Sequence, residues 1–187
     1  MKDITGIILA GGKSSRMGTD KGFLMYKGTA FVQHSIEALQ PLASNILIVS
    51  NNADYDVFGF KRIEDSIENA GPLAGLYSGL KHSKTEYNLA LSCDIPLINT
   101  KVLKKLIEEI DNVSEIIQIE SQGKYMPLMA LYKKSCEQLF IKLLNEGERR
   151  LQYAVGQCLV KNVVLEDKNE LYTKNINTPE ELSTLLK

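Results

Sequence analysis

The sequence predicts an α/β fold, in the form of a single-domain, Rossmann-like three-layer α/β/α structure with a mainly parallel sheet. Strand-like apolar runs alternate with segments that carry apolar residues at helical spacing, which is typical of helices covering both faces of a sheet. The 187 residues contain no internal repeat and no linker rich in Pro, Gly or Ser. We therefore expect one domain over residues 1–187.

The first half of the chain supplies most of the parallel strands. Between them, two segments show helical spacing or small residues suited to close packing, and these predict helices at Phe31–Leu42 and Leu73–Leu80. Parallel strands need such crossover connections. The apolar runs that predict the strands are Ile4–Leu9, Ile46–Val49, Phe60–Ile63 and Tyr87–Leu91.

The second half continues the alternation. The spacing of apolar residues predicts a helix over 103–110, and Ser135 is placed to cap another helix, with Gln138 three residues on. In the last helix, Thr178 is the expected cap residue, followed by Pro179. We interpret 118–128 as an excursion that helps to form a second substrate's pocket. The remaining elements are strands at Ile116–Ile119, Met129–Tyr132 and Leu159–Leu165, and helices at Ser135–Leu144 and from Pro179.

Composition excludes several classes of protein. The formal net charge is −1, so no basic surface for nucleic acid is expected, and no apolar run approaches the length of a membrane span. Met1 leads almost directly into the first strand, which leaves no room for a signal peptide. Three cysteines without C-x-x-C spacing indicate free thiols in a reducing compartment, so we expect a cytoplasmic protein.

The segment from Leu9 to Lys21 is the most informative part of the chain. It follows the first strand and contains three glycines, one arginine and two lysines in thirteen residues. Glycine lets backbone N–H groups approach a ligand, and the cations suit phosphates. The P-loop spacing and the G-x-G-x-x-G spacing are both absent. The segment therefore predicts a phosphate site of another kind.

Three loops follow the predicted parallel strands, and we expect them to converge on one crevice. They are the glycine loop, the loop at 50–52 and the loop at 93–94. We interpret Asp94 as a Mg²⁺ ligand, the alternative being a cap for the turn before Pro96. Lys21 and Arg16 are the expected phosphate cations. Asp20 either orients a neighbouring cation or is a surface turn residue, and we favour the latter interpretation.

Several motifs resemble those of a known enzyme family. Leu9–Lys21 resembles the L-A-G-G-x-S-x-R-M-G-x-D-K signature of nucleotidyltransferases similar to sugar-nucleotide pyrophosphorylases. Within that group, the chain resembles the molybdenum cofactor guanylyltransferases over nearly its whole length, also through the motifs at 71–75, 92–96, 147–150 and 175–182. The resemblance implies a fold of the nucleotide-diphospho-sugar transferase type. It also implies Mg²⁺-dependent transfer of GMP from GTP to molybdenum-molybdopterin, with release of pyrophosphate.

The resemblance also divides the site, with a nucleotide half at about 1–100 and an acceptor half at about 101–187. Asn51 and Asp65 match positions that contact the nucleoside, although both residue types are also common in turns. The residues implied for nucleotide binding are Leu9, Ala10, Gly11, Gly12, Lys21, Asn51, Asp65 and Asp94. The residues implied for the acceptor are Arg149, Arg150, Asn175 and Asn177, where the start of the last helix is an alternative explanation for the asparagines.

Three alternatives stay open at this point. The enzyme could be a CTP-dependent cytidylyltransferase, a sugar-phosphate nucleotidyltransferase or a non-catalytic nucleotide-binding subunit. Molybdoenzyme chaperones, or other proteins of cofactor biosynthesis, are possible partners implied by the resemblance. Cys93 lies next to Asp94, but no basic partner is indicated, so we interpret it as a small buried residue and not as a nucleophile.

Overall fold

The computed structural model describes residues 3–11, 20–67 and 70–185. Its central feature is a seven-stranded sheet in the order β5-β4-β1-β6-β8-β7-β9, beside a small β2-β3 hairpin. The strands are β1 (Ile4–Leu9), β2 (Met25–Tyr26), β3 (Thr29–Ala30), β4 (Asn45–Val49), β5 (Lys61–Ile63), β6 (Tyr87–Ser92), β7 (Ile116–Ser121), β8 (Lys124–Lys133) and β9 (Val160–Val164).

Six α-helices connect or follow these strands in the described part of the chain. They are α1 (Phe31–Leu39), α2 (Gly71–His82), α3 (Thr100–Glu108), α4 (Cys136–Asn145), α5 (Leu151–Val155) and α6 (Pro179–Leu185). None of the described helices combines the length and the apolar character needed to cross a bilayer.

The core consists of two apolar layers, one on each face of the sheet. Ile8 on β1 contributes to the cluster that contains residues of α1 and α3. Its neighbour Ile7 contributes to the cluster formed with α2, α4 and α5. Successive side chains of a strand point to opposite faces, so both layers draw on the same strands. The prediction of a three-layer α/β/α fold is confirmed.

The sheet is mainly parallel, with one reversed strand. β1 pairs in parallel with β4 and β6, β4 pairs in parallel with β5, and β7 pairs in parallel with β9. β8 runs antiparallel to both of its neighbours, β6 and β7. The reversal follows from a tight turn at Gln122-Gly123, where both residues have positive φ.

The excursion expected over 118–128 is instead part of this regular hairpin, with an irregular register between Gln118 and Ile119. Leu128 is its one described residue that lines the cleft beside β1. The pairing with β7 extends β8 well beyond the predicted Met129–Tyr132, back to Lys124. The segment is therefore part of the sheet and not an excursion from it, whereas its contribution to the second substrate's pocket stays a prediction.

Two predictions about helix ends have opposite outcomes. The predicted cap by Ser135 is wrong, because this residue has helical φ and ψ and its side chain makes no cap hydrogen bond. At α6 the predicted cap is confirmed: the Glu181 N–H donates to Thr178 Oγ1 at 3.2 Å, and the Thr178 N–H donates to Glu181 Oε2 at 3.2 Å. This reciprocal pair fixes the chain entering α6 directly after Asn177.

Candidate active site

A cleft of about 810 Å³ lies at the carboxyl ends of β1, β4 and β6. The loops after these three strands all contribute to it, so the predicted convergence is confirmed. This is the edge at which open α/β sheets bind ligands. The lining residues are Leu9, Ala10, Gly11, Asp20, Val49, Ser50, Asn51, Asn52, Asp65, Gly71, Pro72, Gly75, Ser92, Asp94 and Leu128.

The loop after β1 turns sharply as it reaches the cleft. The Ala10 N–H donates to the Val49 carbonyl at 3.0 Å, which keeps the chain against β4. Gly11 then adopts a φ of +98°, a conformation that glycine reaches without steric cost. The predicted ligands Gly12 and Arg16, together with Lys13, lie outside the described residues. Their roles stay predictions.

Asp94 follows β6 and faces the cleft. Its Oδ1 accepts hydrogen bonds from Ser92 Oγ at 2.7 Å and from Asn175 Nδ2 at 3.3 Å. Its Oδ2 lies 3.5 Å from Lys21 Nζ, and the side chain is 13% exposed. The carboxylate is thus oriented through one oxygen, while the other is next to a cation.

Lys21 begins a short 3₁₀ turn, Lys21–Phe23, for which Asp20 is the cap residue. Its Nζ donates to Asn177 Oδ1 at 2.5 Å in addition to its contact with Asp94. The chain entering α6 is further held by the Ile176 N–H, which donates to the Asp94 carbonyl at 2.9 Å. The structure therefore brings together four of the predicted site residues, Lys21, Asp94, Asn175 and Asn177.

The Asp94 carboxylate suits a divalent cation whose other coordination positions a bound substrate and water would fill. No group of three or more His, Cys, Asp or Glu side chains forms a cage among residues 3–11, 20–67 and 70–185. Mg²⁺ commonly takes one or two carboxylates, and its remaining positions are filled by phosphates and water. A single carboxylate at a cleft edge fits that pattern.

Asn51 and Asp65 form one wall of the cleft and contact each other. The Asp65 N–H donates to Asn51 Oδ1 at 2.8 Å, and Asp65 Oδ1 accepts from Ser78 Oγ at 3.3 Å. Burial raises the pKa of Asp65, and the Ser78 hydrogen bond acts in the opposite direction. Asp65 is thus a partly desolvated acceptor facing the same space as the loop after β1.

Arg149 and Arg150 lie elsewhere. Arg149 Nη1 donates to the Leu144 and Glu148 carbonyls at 2.8 Å each. The first of these hydrogen bonds provides a partner for a carbonyl group in the last turn of α4. The Arg150 guanidinium pairs with Glu148 at 2.6 Å and lies over the Tyr153 ring. Within the described residues, no hydrogen bond or ion pair connects either arginine to the asparagines of the predicted acceptor set.

The backbone of the arginine pair lies near the start of α2. A Cβ atom built on Gly71 would lie 3.8 Å from the Arg149 carbonyl oxygen, and Gly71 lines the cleft. The four residues predicted for the acceptor therefore separate into two groups, one beside Asp94 and one beside Gly71. The sequence analysis placed all four residues in one acceptor set and did not indicate this division.

Cys93 is buried, and burial, assisted by the nearby Asp94 carboxylate, raises the pKa of its thiol to about 12. A protonated thiol is a poor nucleophile, which agrees with the interpretation from sequence.

The two histidines make local contacts, with His34 beside the Tyr26 carbonyl and His82 beside the Ser78 carbonyl.

The interpretation of Asp20 as a surface turn residue is wrong. Asp20 lines the cleft, and its Oδ1 accepts from the Tyr55 hydroxyl at 2.5 Å. Tyr55 did not emerge from the sequence at all. The available signal was a tyrosine in the polar segment between the predicted strands Ile46–Val49 and Phe60–Ile63, because a tyrosine that folds inward there needs a polar partner.

Solved structures of other proteins share this fold. The structure resembles molybdopterin-guanine dinucleotide biosynthesis protein A from Archaeoglobus fulgidus, with a TM-score of 0.83, 21% identity and coverage of 97% of this chain and 96% of that one. It also resembles 4-diphosphocytidyl-2C-methyl-D-erythritolsynthase from Anaerococcus prevotii, with a TM-score of 0.77, 15% identity and coverage of 98% and 94%. At these identities the likeness concerns the fold.

Sequence comparison identifies the family. The profile described as "MobA-like NTP transferase domain" matches residues 6–158, and the chain belongs to this family. It is 34% identical to a probable molybdenum cofactor guanylyltransferase of Flavobacterium johnsoniae, over 99% of this chain and 97% of that protein. It is 33% identical to the molybdenum cofactor guanylyltransferase of Vibrio parahaemolyticus, over 95% and 92%.

Proposed function

We propose that this protein transfers GMP from GTP to the phosphate of molybdenum-molybdopterin, forming molybdopterin guanine dinucleotide and releasing pyrophosphate. The full-length similarity to proteins named molybdenum cofactor guanylyltransferase supports the choice of substrates. The observation that carries the mechanism is the position of Lys21 Nζ, 3.5 Å from Asp94 Oδ2, where the loops of three parallel strands meet.

The reaction requires positive charge more than a nucleophilic side chain. The acceptor phosphate must approach the α-phosphate of GTP, and two unit charges of like sign 4 Å apart repel by about 4 kcal/mol at an effective dielectric of 20. Lys21 supplies one cation at the cleft. We assign the second to Arg16. Both act by positioning the phosphates and by stabilising the charge that builds up during transfer.

Asp94 is the residue that would hold Mg²⁺ in this proposal. When bound, the ion neutralises phosphate oxygens and fixes their orientation. The protein prepares Asp94 for this role through its neighbours. Ser92 and Asn175 both donate to Oδ1 and so restrict rotation of the carboxylate. Oδ2 faces Lys21, so a carboxylate oxygen and the lysine cation lie side by side at the cleft.

The nucleoside is assigned to the wall formed by the loop after β1 and by Asn51 and Asp65. We assign Leu9, Ala10, Gly11 and Gly12 to backbone contacts with base and ribose. Asn175 and Asn177 are assigned to the phosphate end of the acceptor, because they contact Asp94 and Lys21. Arg149 and Arg150 are assigned to the acceptor further along the cleft, near Gly71.

We propose that the protein works in the cytoplasm and passes its product to molybdoenzyme chaperones or to other proteins of cofactor biosynthesis. The three cysteines are free thiols, which suits a reducing compartment. The free thiols support the proposed compartment only. The proposed partners rest on the family resemblance.

The test is pyrophosphate release from GTP, CTP, ATP and UTP, each with Mg²⁺ and molybdenum-loaded molybdopterin. We expect release with GTP alone, and a loss of at least about a hundredfold in Asp94→Ala with little change in the free energy of unfolding. The exposed Asp54→Ala is the matched control and should retain full activity. Release with CTP would reassign the base. Nucleotide binding without release from any of the four would favour a non-catalytic subunit.

A further inference from the structure

The Tyr55 hydroxyl is a buried polar group beside the nucleotide cleft. Tyr55 lies in the 3₁₀ turn Ala53–Phe58 that follows β4, and its side chain has no exposed surface. Its hydroxyl donates to Asp20 Oδ1 at 2.5 Å. A hydrogen bond from a buried hydroxyl to a carboxylate is among the stronger kinds in proteins. The contact joins two loops that are 35 residues apart in sequence.

Asp20 uses the rest of its carboxylate to hold the same two loops. Its Oδ1 also accepts from the Gly22 N–H at 3.1 Å, and its Oδ2 lies 3.4 Å from Asn52 Nδ2. Asn52 in turn caps the turn that contains Tyr55, since its Oδ1 accepts from the Asp54 N–H at 3.0 Å. Lys21 is the residue between Asp20 and Gly22, and both of these neighbours are fixed.

Gly22 packs directly on the phenol. A Cβ atom built at this position would overlap the hydroxyl oxygen of Tyr55, so the close approach requires glycine. The ring itself is held by aromatic contacts, with centroid distances of 4.6 Å to Phe23 and 6.1 Å to Phe58. Tyr55 therefore contacts the Lys21–Phe23 turn through its hydroxyl and through its ring.

The phenol stays a donor over the whole range of pH in which the protein works. Burial raises the pKa of Tyr55 well above its usual value, and the neighbouring Cys93 and Asp20 add to the shift. The proton on the hydroxyl is therefore retained, and the hydrogen bond to Asp20 keeps its direction.

We propose that Tyr55 is a positioning residue for the phosphate end of the nucleotide site. By fixing Asp20 and Gly22, it sets the backbone of Lys21 so that Nζ stays next to Asp94 and is available to the triphosphate. Nothing in this arrangement requires Tyr55 to touch the ligand. The proposal rests on the proposed function only in taking Lys21 as a cation for nucleotide phosphates.

The test compares binding of GTP with binding of guanosine by calorimetric titration of the full chain. In Tyr55→Phe we expect GTP affinity to fall about tenfold, because Lys21 loses its fixed position, while guanosine affinity stays unchanged. The matched control is Tyr132→Phe, which removes another buried hydroxyl that donates to the Pro127 carbonyl at 2.7 Å. This control should keep both affinities. A purely structural role would lower the unfolding midpoint in both variants without a selective loss of triphosphate affinity.

A second variant examines the same hydrogen bond from its other end. Asp20→Ala leaves the phenol in place but removes the carboxylate that accepts its hydrogen bond, so we expect the same selective loss of GTP affinity. A Tyr55→Phe/Asp20→Ala double variant should be no weaker than the poorer single one. Unchanged GTP affinity in both single variants would overturn the proposal, as would an equal loss for GTP and guanosine. If the native protein binds another triphosphate more tightly, that triphosphate and its nucleoside replace GTP and guanosine. The base assignment then fails while the role of Tyr55 is still decided.

Discussion

Lys21 illustrates how one side chain is shared between the two halves of the site. Its Nζ contacts Asp94 after β6 and Asn177 before α6, so the cation proposed for the nucleotide phosphates touches a residue assigned to the acceptor. Asn177 is a neutral partner and does not cancel the lysine charge. Asn177 therefore holds the ammonium group in one direction without offsetting its charge, which only the Asp94 carboxylate does among these contacts.

Asn177→Ala separates these two roles. We expect the KM for molybdopterin to rise about tenfold, which is the contribution of one hydrogen bond to a charged ligand. The Kd for GTP should change by less than about twofold, because Asp94 still contacts the Lys21 ammonium group and Asp20 still fixes the backbone on either side of it. Steady-state kinetics and GTP titration measure the two effects. Asn112→Ala, an exposed turn residue, is the control. A fall in GTP affinity with an unchanged acceptor KM would assign Asn177 to the nucleotide instead.

At the level of single residues, the sequence predicted Lys21 and Asp94 because glycines, cations and strand ends have strong local signatures. It did not predict Tyr55, whose role depends on a contact with Asp20 made 35 positions away. It also misjudged Asp20, because an aspartate in a polar segment has the same local pattern as an exposed turn residue. Contacts between distant loops depend on packing, which a local pattern does not encode.

The connection between α4 and α5 is organised by one carboxylate. Glu148 Oε1 accepts from the Arg149 and Arg150 N–H groups at 2.8 Å each, and its side chain also pairs with the Arg150 guanidinium. These hydrogen bonds, those from Arg150 foremost, lower the pKa of Glu148 from 4.5 to about 2. The connection that carries the arginine pair therefore depends on an ionised glutamate.

Acid unfolding tests this dependence. Because the pKa of Glu148 is lower in the folded protein than in the unfolded chain, its contribution to stability is complete above its ordinary pKa of 4.5 and disappears as the pH falls towards about 2. We expect Glu148→Gln to unfold at lower urea concentration than the native protein at neutral pH, and the difference to vanish near pH 2. The exposed neighbour Glu146→Gln should show no such pH-dependent difference. A constant difference at all pH values would contradict the assignment.

Elements with regular periodicity were predicted well, and those defined by pairing were not. β1, β4 and β6 follow from apolar runs, and α6 follows from its capping residues. Only the Met129–Tyr132 part of β8 was predicted, because Lys124 and Tyr125 are exposed at its start and only pairing with β7 makes them a strand. The antiparallel reversal inside a mainly parallel sheet likewise depends on the turn at Gln122-Gly123 and not on composition.

At the level of the whole molecule, one buried side chain, that of Ile176, anchors the segment before α6 beside Asp94 and Lys21. Ile176 is fully buried in a small cluster with Tyr26 and Phe31, and its neighbours Asn175 and Asn177 face Asp94 and Lys21. The apolar anchor and the polar contacts alternate along the chain. Loss of the anchor should therefore release both asparagines at once.

Ile176→Asp provides that test, because a buried unpaired carboxylate is unfavourable enough to displace the segment. We expect turnover to fall more than about tenfold, while GTP affinity stays within about threefold, since the nucleotide wall lies in residues 9–94. Hydrogen exchange at 174–178 should increase. Leu171→Asp, at a position 57% exposed, is the control and should leave exchange and turnover unchanged. Equal loss of GTP affinity would show that the segment also supports the nucleotide wall.

The contact between Lys21 and Asn177 spans 156 positions of the chain, so the residues of the site are synthesised at different times. At about 5–20 residues per second, a ribosome needs about 8–30 s to pass from one residue to the other. Lys21 and Asp94 are both made well before Asn177. A nascent or truncated chain therefore carries the wall proposed for the nucleotide without the asparagines assigned to the acceptor. We expect such a fragment, if it folds, to bind GTP without turning it over.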